Sequence, residues 1–579
     1  MPARSAPGPL SAAKCLAAAL LALAAALALA VSSCGDDPAA RRADVARDYA
    51  AAWQRGDYAA MRALLAPALR REVTLAEFRG LHEALLATAT AERPPRLAGP
   101  VTVDGDVARV PLRVATRAFG AVRAAVALPI ALGDDGATIA WRAHMAFPGL
   151  RRGDRLRAAT ELPPRAALLA ADGGVLAQGP ERTPAAELAD VAAETVGIVG
   201  EPEAARAAEL RPLGVPEGAA VGINGLERAL DDRLRGTAGG RLLAGDRVLA
   251  ERAPVAAGPV RTTIVPSLVR VAAAALAGRD GGAVALDPRS GALLAVAGTA
   301  FSGLGPPGST FKIVTLAAAL ESGATTADEV FPYETEATLD GAPLQNADGE
   351  SCGGSLVESF AHSCNSVFAP LGARVGADRL AAVARRLGFD APPEIAGAAT
   401  SRVPDAADGD DALTVGSTAI GQGEVQASAL QMASVAATVA RGGTRAPLTL
   451  DAAAAVAAAD ARPRRALPAA VTATIQEAMR AVVEQGTGTA AAIDGLSVAG
   501  KTGTAELGVT QNCDDDQLAG GACDPDDPTD TDAWFVGYAP ADEAAPRVAV
   551  AVVLHRSGAG GATAAPAARD LIAAALERR

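Results

Sequence analysis

The chain begins with an apolar run and continues with segments of helical and strand-like hydrophobic spacing. Residues 15–31 are uninterruptedly apolar. Between residues 43 and 65, apolar positions recur at helical spacing around a break at Arg55-Gly56-Asp57. Residues 101–141 alternate apolar and polar positions, as strands with one buried face do. These patterns predict helices followed by a curved sheet, which together form a small α+β domain.

The chain beyond residue 151 is predicted to form a different series of elements. Residues 283–296 are typical of two strands joined by a Pro/Gly turn, and the intervening residues 152–262 are punctuated by proline and glycine. The stretch Gly305-Pro306-Pro307-Gly308 stops the extended chain, and a helix is predicted from Ser309 to Leu320. Residues 496–500 predict an apolar strand that ends just before Lys501.

The N-terminal run has the features of a targeting segment. Its 17 apolar residues follow Arg4 and Lys14, and a transmembrane helix typically needs about 20. The run ends in Val31-Ser32-Ser33-Cys34, which resembles the lipobox of bacterial lipoproteins. The resemblance implies a signal peptide over residues 1–34, a lipidated Cys34, and a lipid-anchored protein on the extracytoplasmic face of the cell membrane. An uncleaved signal anchor is the alternative.

Composition narrows the possible functions. At about 100–200 residues per domain, 579 residues predict several domains. The net charge of −13 and the aromatic content of 3% argue against a nucleic-acid partner, which favours a basic face and stacking platforms. Only three lysines occur, Lys14, Lys312 and Lys501, although Lys and Arg together number 53. Because arginine cannot lose its proton in a protein, the two lysines beyond the signal are candidates for chemistry that needs a neutral amine.

Four cysteines follow the signal segment, and four cysteines allow three connectivities. The simplest pairing is local, Cys352–Cys364 and Cys513–Cys523, because each pair brackets one loop. A metal site is the other interpretation, although no Cys-x-x-Cys pair occurs and His362 is the only nearby histidine. The acidic residues 514–532 lack the spacing of an EF-hand, so they indicate a solvated loop rather than a calcium site.

Three short motifs carry the candidate chemistry. Ser309 and Lys312 stand at i and i+3 of the predicted helix, so the amine can reach the hydroxyl. A serine hydroxyl is a weak nucleophile unless a base lies beside it, and a desolvated lysine can be that base. Ser363-Cys364-Asn365 includes one of only four asparagines, and Lys501-Thr502-Gly503-Thr504 follows the predicted strand. A helix N-cap, a turn and a strand end are the structural alternatives for Ser309, Asn365 and Lys501.

Ser-x-x-Lys, Ser-x-Asn and Lys-Thr-Gly in this order mark the penicillin-recognising serine enzymes. Within that group the chain resembles the class B penicillin-binding proteins. Three further stretches fit the resemblance: Gly421-Gln422-Gly423-Glu424-Val425, Gly486-Thr487-Gly488 and Ala533-Trp534-Phe535-Val536-Gly537-Tyr538. The resemblance implies a multidomain protein. Its α/β serine-transpeptidase domain would have a central antiparallel sheet flanked by helices, after a β-rich pedestal and an α+β domain of the nuclear-transport-factor-2-like fold.

The same resemblance gives the domain boundaries. Residues 35–151 resemble the N-terminal domain of MecA-type penicillin-binding proteins, through Tyr49-Ala-Ala-Ala-Trp53-Gln-Arg-Gly-Asp57-Tyr58. Residues 152–262 are similar to the pedestal or dimerisation-type region, although Arg165-Ala166 stands where an Arg-Gly pair is usual. Residues 263–579 then form the penicillin-binding transpeptidase domain. The resemblance to the MecA-type domain implies low β-lactam affinity and antibiotic resistance.

The resemblance also assigns roles to the motif residues. Ser309 attacks the penultimate D-Ala carbonyl of a stem peptide, Lys312 takes its proton, and Ser363 relays protons to the leaving amine. Asn365 holds the substrate backbone, and Lys501 supplies positive charge. Thr502, Gly503 and Thr504 form the substrate-binding stretch, in which the two threonines hold the terminal carboxylate. The backbone N–H groups of Ser309 and Thr504 form the oxyanion hole. No metal or organic cofactor is required.

The implied function is a peptidoglycan D,D-transpeptidase. Its expected partners are stem peptides of lipid II-derived glycan strands, β-lactams as covalent inhibitors, the membrane through the N-terminal lipid, and a cell-wall synthesis complex. Two alternatives use the same residues. One is a D,D-carboxypeptidase or β-lactam-hydrolysing enzyme, and the other is a non-catalytic cell-wall scaffold or β-lactam sensor.

Overall fold

The computed structural model describes residues 37–134, 136–404, 411–460, 464–507 and 530–577. They form two compact units. The first unit comprises the chain up to residue 163 together with 203–217 and 237–255, and the second comprises 164–202, 218–236 and the chain from 256 onward. The segment 152–262, predicted from the sequence as one domain, is therefore divided between the two units.

Helices occur in both halves of the chain. Eighteen α-helices are described: α1 Pro38–Gln54, α2 Tyr58–Ala63, α3 Pro67–Glu72, α4 Leu75–Thr88, α5 Ala189–Thr195, α6 Ala204–Leu210, α7 Gly225–Ala229, α8 Asp231–Leu234, α9 Pro266–Leu276, α10 Lys312–Ser322, α11 Leu356–Ala361, α12 Asn365–Val375, α13 Ala377–Arg386, α14 Ala412–Ala419, α15 Ala429–Ala440, α16 Ala452–Asp460, α17 Ala469–Gln485 and α18 Ala564–Leu576. Short 3-10 turns lie at Ala143–Ala146, Ala186–Leu188, Arg211–Leu213, Gly308–Phe311, Ala347–Gly349 and Thr489–Ala491. In this described part of the chain, no helix combines the length and apolar character needed to cross a bilayer.

The strands build one large sheet in each unit and several smaller ones. Twenty-four are described: β1 Arg96–Leu97, β2 Thr102–Asp104, β3 Val107–Thr116, β4 Gly120–Gly133, β5 Gly136–Ile139, β6 Leu156–Glu161, β7 Leu168–Leu169, β8 Val175–Ala177, β9 Val199–Gly200, β10 Val221–Gly222, β11 Gly239–Ala244, β12 Arg247–Arg252, β13 Val260–Arg261, β14 Gly281–Leu286, β15 Leu293–Gly298, β16 Val330–Glu334, β17 Glu336–Leu339, β18 Ala342–Gln345, β19 Cys352–Ser355, β20 Thr444–Arg445, β21 Arg464–Arg465, β22 Ala499–Glu506, β23 Thr531–Ala539 and β24 Val548–Leu554.

The first unit packs its N-terminal helices on an antiparallel sheet. The sheet has the order β1-β3-β4-β5, and β2 also pairs with β3. Every second residue of β3 is buried, and the first three of them, Ala108, Val110 and Leu112, share a core with Tyr49 and Trp53 of α1 and Phe78 of α4. The helices and strands expected in residues 43–65 and 101–141 are present. The turn between β3 and β4 was not predicted, because it contains the apolar pair Ala118-Phe119.

The second unit is built around a five-stranded antiparallel sheet with the order β15-β14-β24-β23-β22. All residues of β14 and β24 are buried, so these central strands are covered on both faces. Helices α9, α15 and α18 pack against the sheet. The predicted hairpin in residues 283–296 corresponds to β14 and β15. The sheet leaves β22 as one of its two edge strands.

A buried ion network lies elsewhere in the second unit. Both carboxylate oxygens of Glu227 accept hydrogen bonds from guanidinium groups, at 2.6 Å from Nε of Arg165 and 2.6 Å from Nε of Arg182. Arg165 also donates to Asp231 at 2.8 Å, and Asp231 pairs with Arg235. The Glu227 side chain is fully buried. The network joins residues that are more than forty positions apart in the sequence.

Candidate active site

The turn that presents Ser309 lies between β15 and α10. Residues Gly308–Phe311 form a 3-10 turn, and α10 begins only at Lys312. The sequence predicted that the helix starts at Ser309. The difference arises because Gly308 has a positive φ of 51° and Thr310 Oγ1 donates to the Pro307 carbonyl at 2.7 Å, which tightens the first turn. Ser309 therefore sits one turn before the α-helix proper.

Lys312 is the centre of the hydrogen bonds in the site. Its Nζ lies 3.1 Å from Oγ of Ser309 and 3.1 Å from Oγ of Ser363. It also donates to the Ser363 carbonyl at 2.6 Å and to Oδ1 of Asn365 at 2.7 Å. The side chain is fully buried. One amine thus connects three of the residues singled out from the sequence.

The two buried lysines have no acidic partner among the residues that the structure describes. Desolvation, and secondly the nearby charge of Lys501, hold the pKa of Lys312 well below its usual range. Burial alone lowers the pKa of Lys501 to about 7. The Nζ atom of Lys312 lies 5.7 Å from the Phe368 ring centroid and that of Lys501 lies 5.6 Å from that of Phe360, so an apolar ring lies near each amine. The site therefore favours a neutral amine beside Ser309.

The segment from Ser363 to Asn365 is held in an unusual conformation. Ser363 has a φ of 62°, in the left-handed region. Cys364 forms a disulfide with Cys352, the first residue of β19. Asn365 begins α12, and its Nδ2 donates to the Gln345 carbonyl at 2.7 Å. These constraints direct the Ser363 hydroxyl and the Asn365 amide oxygen toward Lys312.

Asn346 is a site-supporting residue that the sequence reasoning missed. Its Nδ2 donates to the carbonyls of Glu334 and Glu350, at 2.8 and 2.9 Å. Its Oδ1 accepts from the backbone N–H of Ser366 at 2.9 Å. Asn346 thus fastens the loop after β18 to the start of α12, beside Asn365. The scarcity of asparagine in this chain was the one available signal.

The motif that begins at Lys501 lies within β22 rather than after a strand. The predicted strand over residues 496–500 is wrong in its bounds, since β22 begins at Ala499 and continues to Glu506. The motif remains extended because Lys501 to Thr504 pair with residues Ala533 to Val536 of β23. Only one edge of β22 is paired within the sheet, so its other edge faces the Ser309 turn.

Two threonine hydroxyls of β22 form hydrogen bonds with neighbouring segments. Thr502 Oγ1 lies 2.5 Å from Oγ1 of Thr487. Thr487 is the central residue of the Gly-Thr-Gly stretch noted in the sequence, and its backbone N–H donates to the Ala361 carbonyl at 3.1 Å. Thr504 Oγ1 accepts from the Gly560 N–H at 3.3 Å. This arrangement places two threonine hydroxyls along the strand that runs beside Ser309.

Gly421 supports the Ser309 turn from behind. The Gly308 N–H donates to the Gly421 carbonyl at 3.0 Å, and a Cβ built on Gly421 would lie 1.9 Å from the Gly308 carbonyl oxygen. Its φ of 79° also favours glycine. The backbone approach leaves no room for a side chain, which accounts for the glycine at this position.

Replacing Gly421 with alanine is therefore expected to displace the turn and lower the rate of penicillin acylation at least tenfold. Gly423→Ala is the matched control, because Gly423 has a similar φ of 69° but its added Cβ would meet only the Ser417 Cβ at 3.9 Å. Both variants carry the same backbone strain, and only Gly421→Ala adds the clash. Equal acylation rates for the two variants, measured with a fluorescent penicillin, would contradict this account.

The residues of the three sequence motifs lie close together in the structure. Ser309, Lys312, Ser363 and Asn365 are joined by hydrogen bonds, and Lys501, Thr502, Gly503 and Thr504 lie on the adjacent strand. The backbone of Gly503 is close to the turn, since a Cβ there would lie 2.8 Å from the Pro307 carbonyl oxygen. Cys34 and the Cys513–Cys523 pair lie outside the described residues. Within the described ranges, no three His, Cys, Asp or Glu side chains are grouped to hold a metal ion.

Comparisons with known proteins fit this geometry. The family model described as the penicillin binding protein transpeptidase domain matches residues 281–573, and the penicillin-binding protein dimerisation domain matches residues 185–250. The peptidoglycan D,D-transpeptidase PbpA of Mycobacterium tuberculosis is 38% identical over 299 residues, which cover 47% of this chain and 55% of that protein. PbpA of Mycolicibacterium smegmatis is 38% identical over 295 residues, with the same coverage. The chain thus spans about half the length of the curated relatives it matches.

Solved structures are similar over a larger share. The crystal structure of PBPA from M. tuberculosis has a TM-score of 0.53 at 29% identity and covers 71% of this chain and 99% of its own. A D,D-transpeptidase domain of a peptidoglycan glycosyltransferase from Eggerthella lenta has a TM-score of 0.54 at 28% identity, and covers 71% of this chain and 98% of its own. The transpeptidase match extends over just over half of the 579 residues. The chain therefore belongs to the penicillin-binding proteins that carry a transpeptidase domain.

Proposed function

We propose that this protein is a peptidoglycan D,D-transpeptidase that works through an acyl-enzyme on Ser309. The observation that carries the proposal is the 3.1 Å contact between Oγ of Ser309 and Nζ of a fully buried Lys312. Burial and the charge of Lys501 keep the pKa of that amine low, so a neutral base is available at the nucleophile. The relatives named as D,D-transpeptidases support this assignment.

In the first half-reaction, Lys312 takes the proton of Ser309 as Oγ bonds to the penultimate D-Ala carbonyl carbon. Backbone N–H groups of Ser309 and Thr504 would stabilise the oxyanion, and losing one such donor typically costs about 3–4 kcal/mol. When the peptide bond breaks, the terminal D-Ala leaves as an amine. Ser363, within reach of the same Lys312 amine, would pass the proton to it.

In the second half-reaction, an amine of a neighbouring stem peptide attacks the ester and restores Ser309. The free edge of β22 offers backbone groups to an extended peptide. Asn365 would hold the backbone of the donor peptide, and Lys501 with Thr502 and Thr504 would hold its terminal carboxylate. The same positions would orient the carboxylate of a β-lactam. A solved structure of penicillin-binding protein A from M. tuberculosis is a penicillin G acyl-enzyme complex.

The finer assignments of the other regions belong to the same proposal. Residues 1–34 would be a lipoprotein signal peptide with Cys34 as the lipid-bearing residue, on the extracytoplasmic face of the membrane. Residues 35–151 would be a MecA-type, nuclear-transport-factor-2-like domain associated with antibiotic resistance, which the helices packed on an antiparallel sheet support. The dimerisation match supports a pedestal within residues 152–262. Residues 263–579 would be the transpeptidase domain, acting with a cell-wall synthesis complex, and Cys513 would pair with Cys523.

Intact-mass spectrometry of the protein with benzylpenicillin, beside the Ser309→Ala variant, tests the proposal. We expect an adduct that lasts many minutes and is missing in the variant. An adduct that turns over within seconds while the drug is consumed would indicate a hydrolase instead. If no adduct forms, a stem-peptide thioester substrate separates a drug-resistant transpeptidase, which releases thiol, from a non-catalytic scaffold, which does not.

The pH dependence of acylation gives a second prediction. Lys312 accepts the proton only as a neutral amine, so the rate rises with pH up to the pKa of Lys312. Lys501, whose pKa burial lowers to about 7, is cationic below that pH, and its charge helps to lower the pKa of Lys312. Lys501→Gln is therefore expected to move the limb to higher pH in a pH profile of acylation. Arg569→Gln is the control, because the Arg569 side chain is 43% exposed and pairs only with Asp570 among the described residues. A limb that stays in place for Lys501→Gln would contradict the coupling.

A further inference from the structure

The solvent face of the sheet in the first unit carries a row of arginines. Arg96 of β1 lies directly opposite Arg113 of β3, and Arg113 lies directly opposite Arg123 of β4. Adjacent strands are about 5 Å apart, so three guanidinium groups start from neighbouring backbone positions. Arg109 projects from the same face of β3, four residues before Arg113. We call these four exposed side chains the arginine face.

The guanidinium groups of the arginine face are not held in ion pairs. None of the four has an ion pair or a side-chain hydrogen bond among the described residues. The other positions on this face of β3 and β4 are alanine, proline and valine. Two acids flank the row: Asp104 lies opposite Val107, two positions from Arg109, and the Glu92 backbone N–H donates to the carbonyl of Ala115, two positions from Arg113. The face therefore carries four arginines against two flanking acids, a local excess of positive charge in a chain whose net charge is −13.

Such a row of like charges destabilises the sheet unless an anion binds to it. Like charges directly opposite each other destabilise a pair of strands. Stable sheets usually place mixed or neutral polar residues on their solvent face instead. An array of guanidinium groups on a flat surface suits phosphate oxygens, which accept paired N–H donors.

We propose that the arginine face docks on the anionic phospholipid headgroups of the membrane that holds the N-terminus. The inference rests on the proposed anchor, because Cys34 precedes Pro38, the first residue of α1, by only four positions. Four residues span at most about 14 Å. Either a lipidated Cys34 or a signal anchor thus keeps the first unit at the headgroup layer, where each arginine is attracted to anionic lipid over about a Debye length.

Arginine modification by phenylglyoxal, read by peptide mass spectrometry, tests the docking on the full-length protein in vesicles. One arm uses phosphatidylcholine, and the other uses an equal mixture of phosphatidylcholine and phosphatidylglycerol. We expect Arg113 and Arg123 to react about fivefold more slowly on the anionic vesicles. Exposed Arg71 and Arg79, on helices that pack against the opposite face of the sheet, serve as internal controls and should react equally in both arms.

Three results would overturn the proposal. Equal reaction rates of Arg113 and Arg123 in both arms would leave no role for the lipid charge. Equal slowing at Arg71 and Arg79 would show unspecific shielding. Equal protection by soluble poly(glycerol phosphate) added to phosphatidylcholine vesicles, at the same phosphate concentration, would identify a wall polymer rather than the membrane as the partner.

A double variant extends the test. Arg113→Gln with Arg123→Gln should abolish the lipid-dependent protection of Arg109, while Arg71→Gln with Arg79→Gln, which makes the same change in net charge, should leave it intact. Persistence of the protection in the first variant would contradict the docking surface. Vesicle flotation in 1 M salt reports the anchor, and penicillin acylation reports the proposed function. Failure of either is therefore distinguishable from failure of the arginine face.

Discussion

Replacing Lys312 with methionine is expected to lower the rate constant of penicillin acylation by about a thousandfold. Methionine fills a similar volume but leaves Ser309 without the base that lies 3.1 Å from its hydroxyl. Because the amine is fully buried without an acidic partner among the described residues, its removal should not lower the melting temperature. The rate is measured with a fluorescent penicillin, and the melting temperature by circular dichroism.

The Lys312→Arg variant distinguishes a proton acceptor from a positive charge. Arginine keeps the charge but cannot give up its proton, so we expect acylation to remain as slow as in Lys312→Met. Ser309→Ala supplies the background rate. A Lys312→Met protein that acylates within tenfold of the parent chain would show that another group activates Ser309.

Removing the carboxylate of Glu227 is expected to destabilise the second unit by about 3–5 kcal/mol, because a buried charge pair loses one partner. In Glu227→Ala, the nearly buried guanidinium groups of Arg165 and Arg182 both lose a hydrogen-bond acceptor at 2.6 Å. The loss should appear as a lower midpoint in urea denaturation. Acylation of Ser309 under native conditions should persist, since Glu227 makes no described contact with the site.

Asp190→Ala is the matched control for this measurement. Asp190 forms a comparable pair with Arg270 at 2.6 Å, but both side chains are about half exposed, at 57% and 45%. Exposed pairs contribute little to stability, so the urea midpoint should hardly change. Equal shifts of the urea midpoint in the two variants would show that burial does not determine how much the Glu227 network contributes to stability.

The chemistry of the site was predictable because it depends on short spacings. Ser309 and Lys312 are one turn apart in any helical geometry, so their contact survives the finding that the first turn is 3-10 rather than α. The bias against lysine singled out Lys312 and Lys501 before any fold was known. The disulfide between Cys352 and Cys364 was likewise predicted from the short distance between the two cysteines in the sequence, and the structure confirms it.

What the sequence did not reveal depends on contacts between distant segments. The role of Asn346 arises only once the loop after β18 lies against α12. The glycine at 421 is explained by its approach to Gly308, more than a hundred positions away. The start of β22 was misplaced because residues 496–498 are apolar enough for a strand but lie outside the register with β23. Tertiary pairing, rather than local hydrophobicity, sets that boundary.

The order of strands in the large sheet has a consequence for how this protein reaches its working state. β14 pairs with β24, with Leu286 opposite Ala549, so the two central strands come from opposite ends of the second unit's main segment. Such non-local pairing slows folding, since a long loop must close before any of its contacts form. The sheet cannot be completed until β24 has been synthesised and has paired with β14 and β23. β22, which lies beside Ser309 and joins the sheet through β23 and β24, is therefore held in place only after the C-terminal strands have been made.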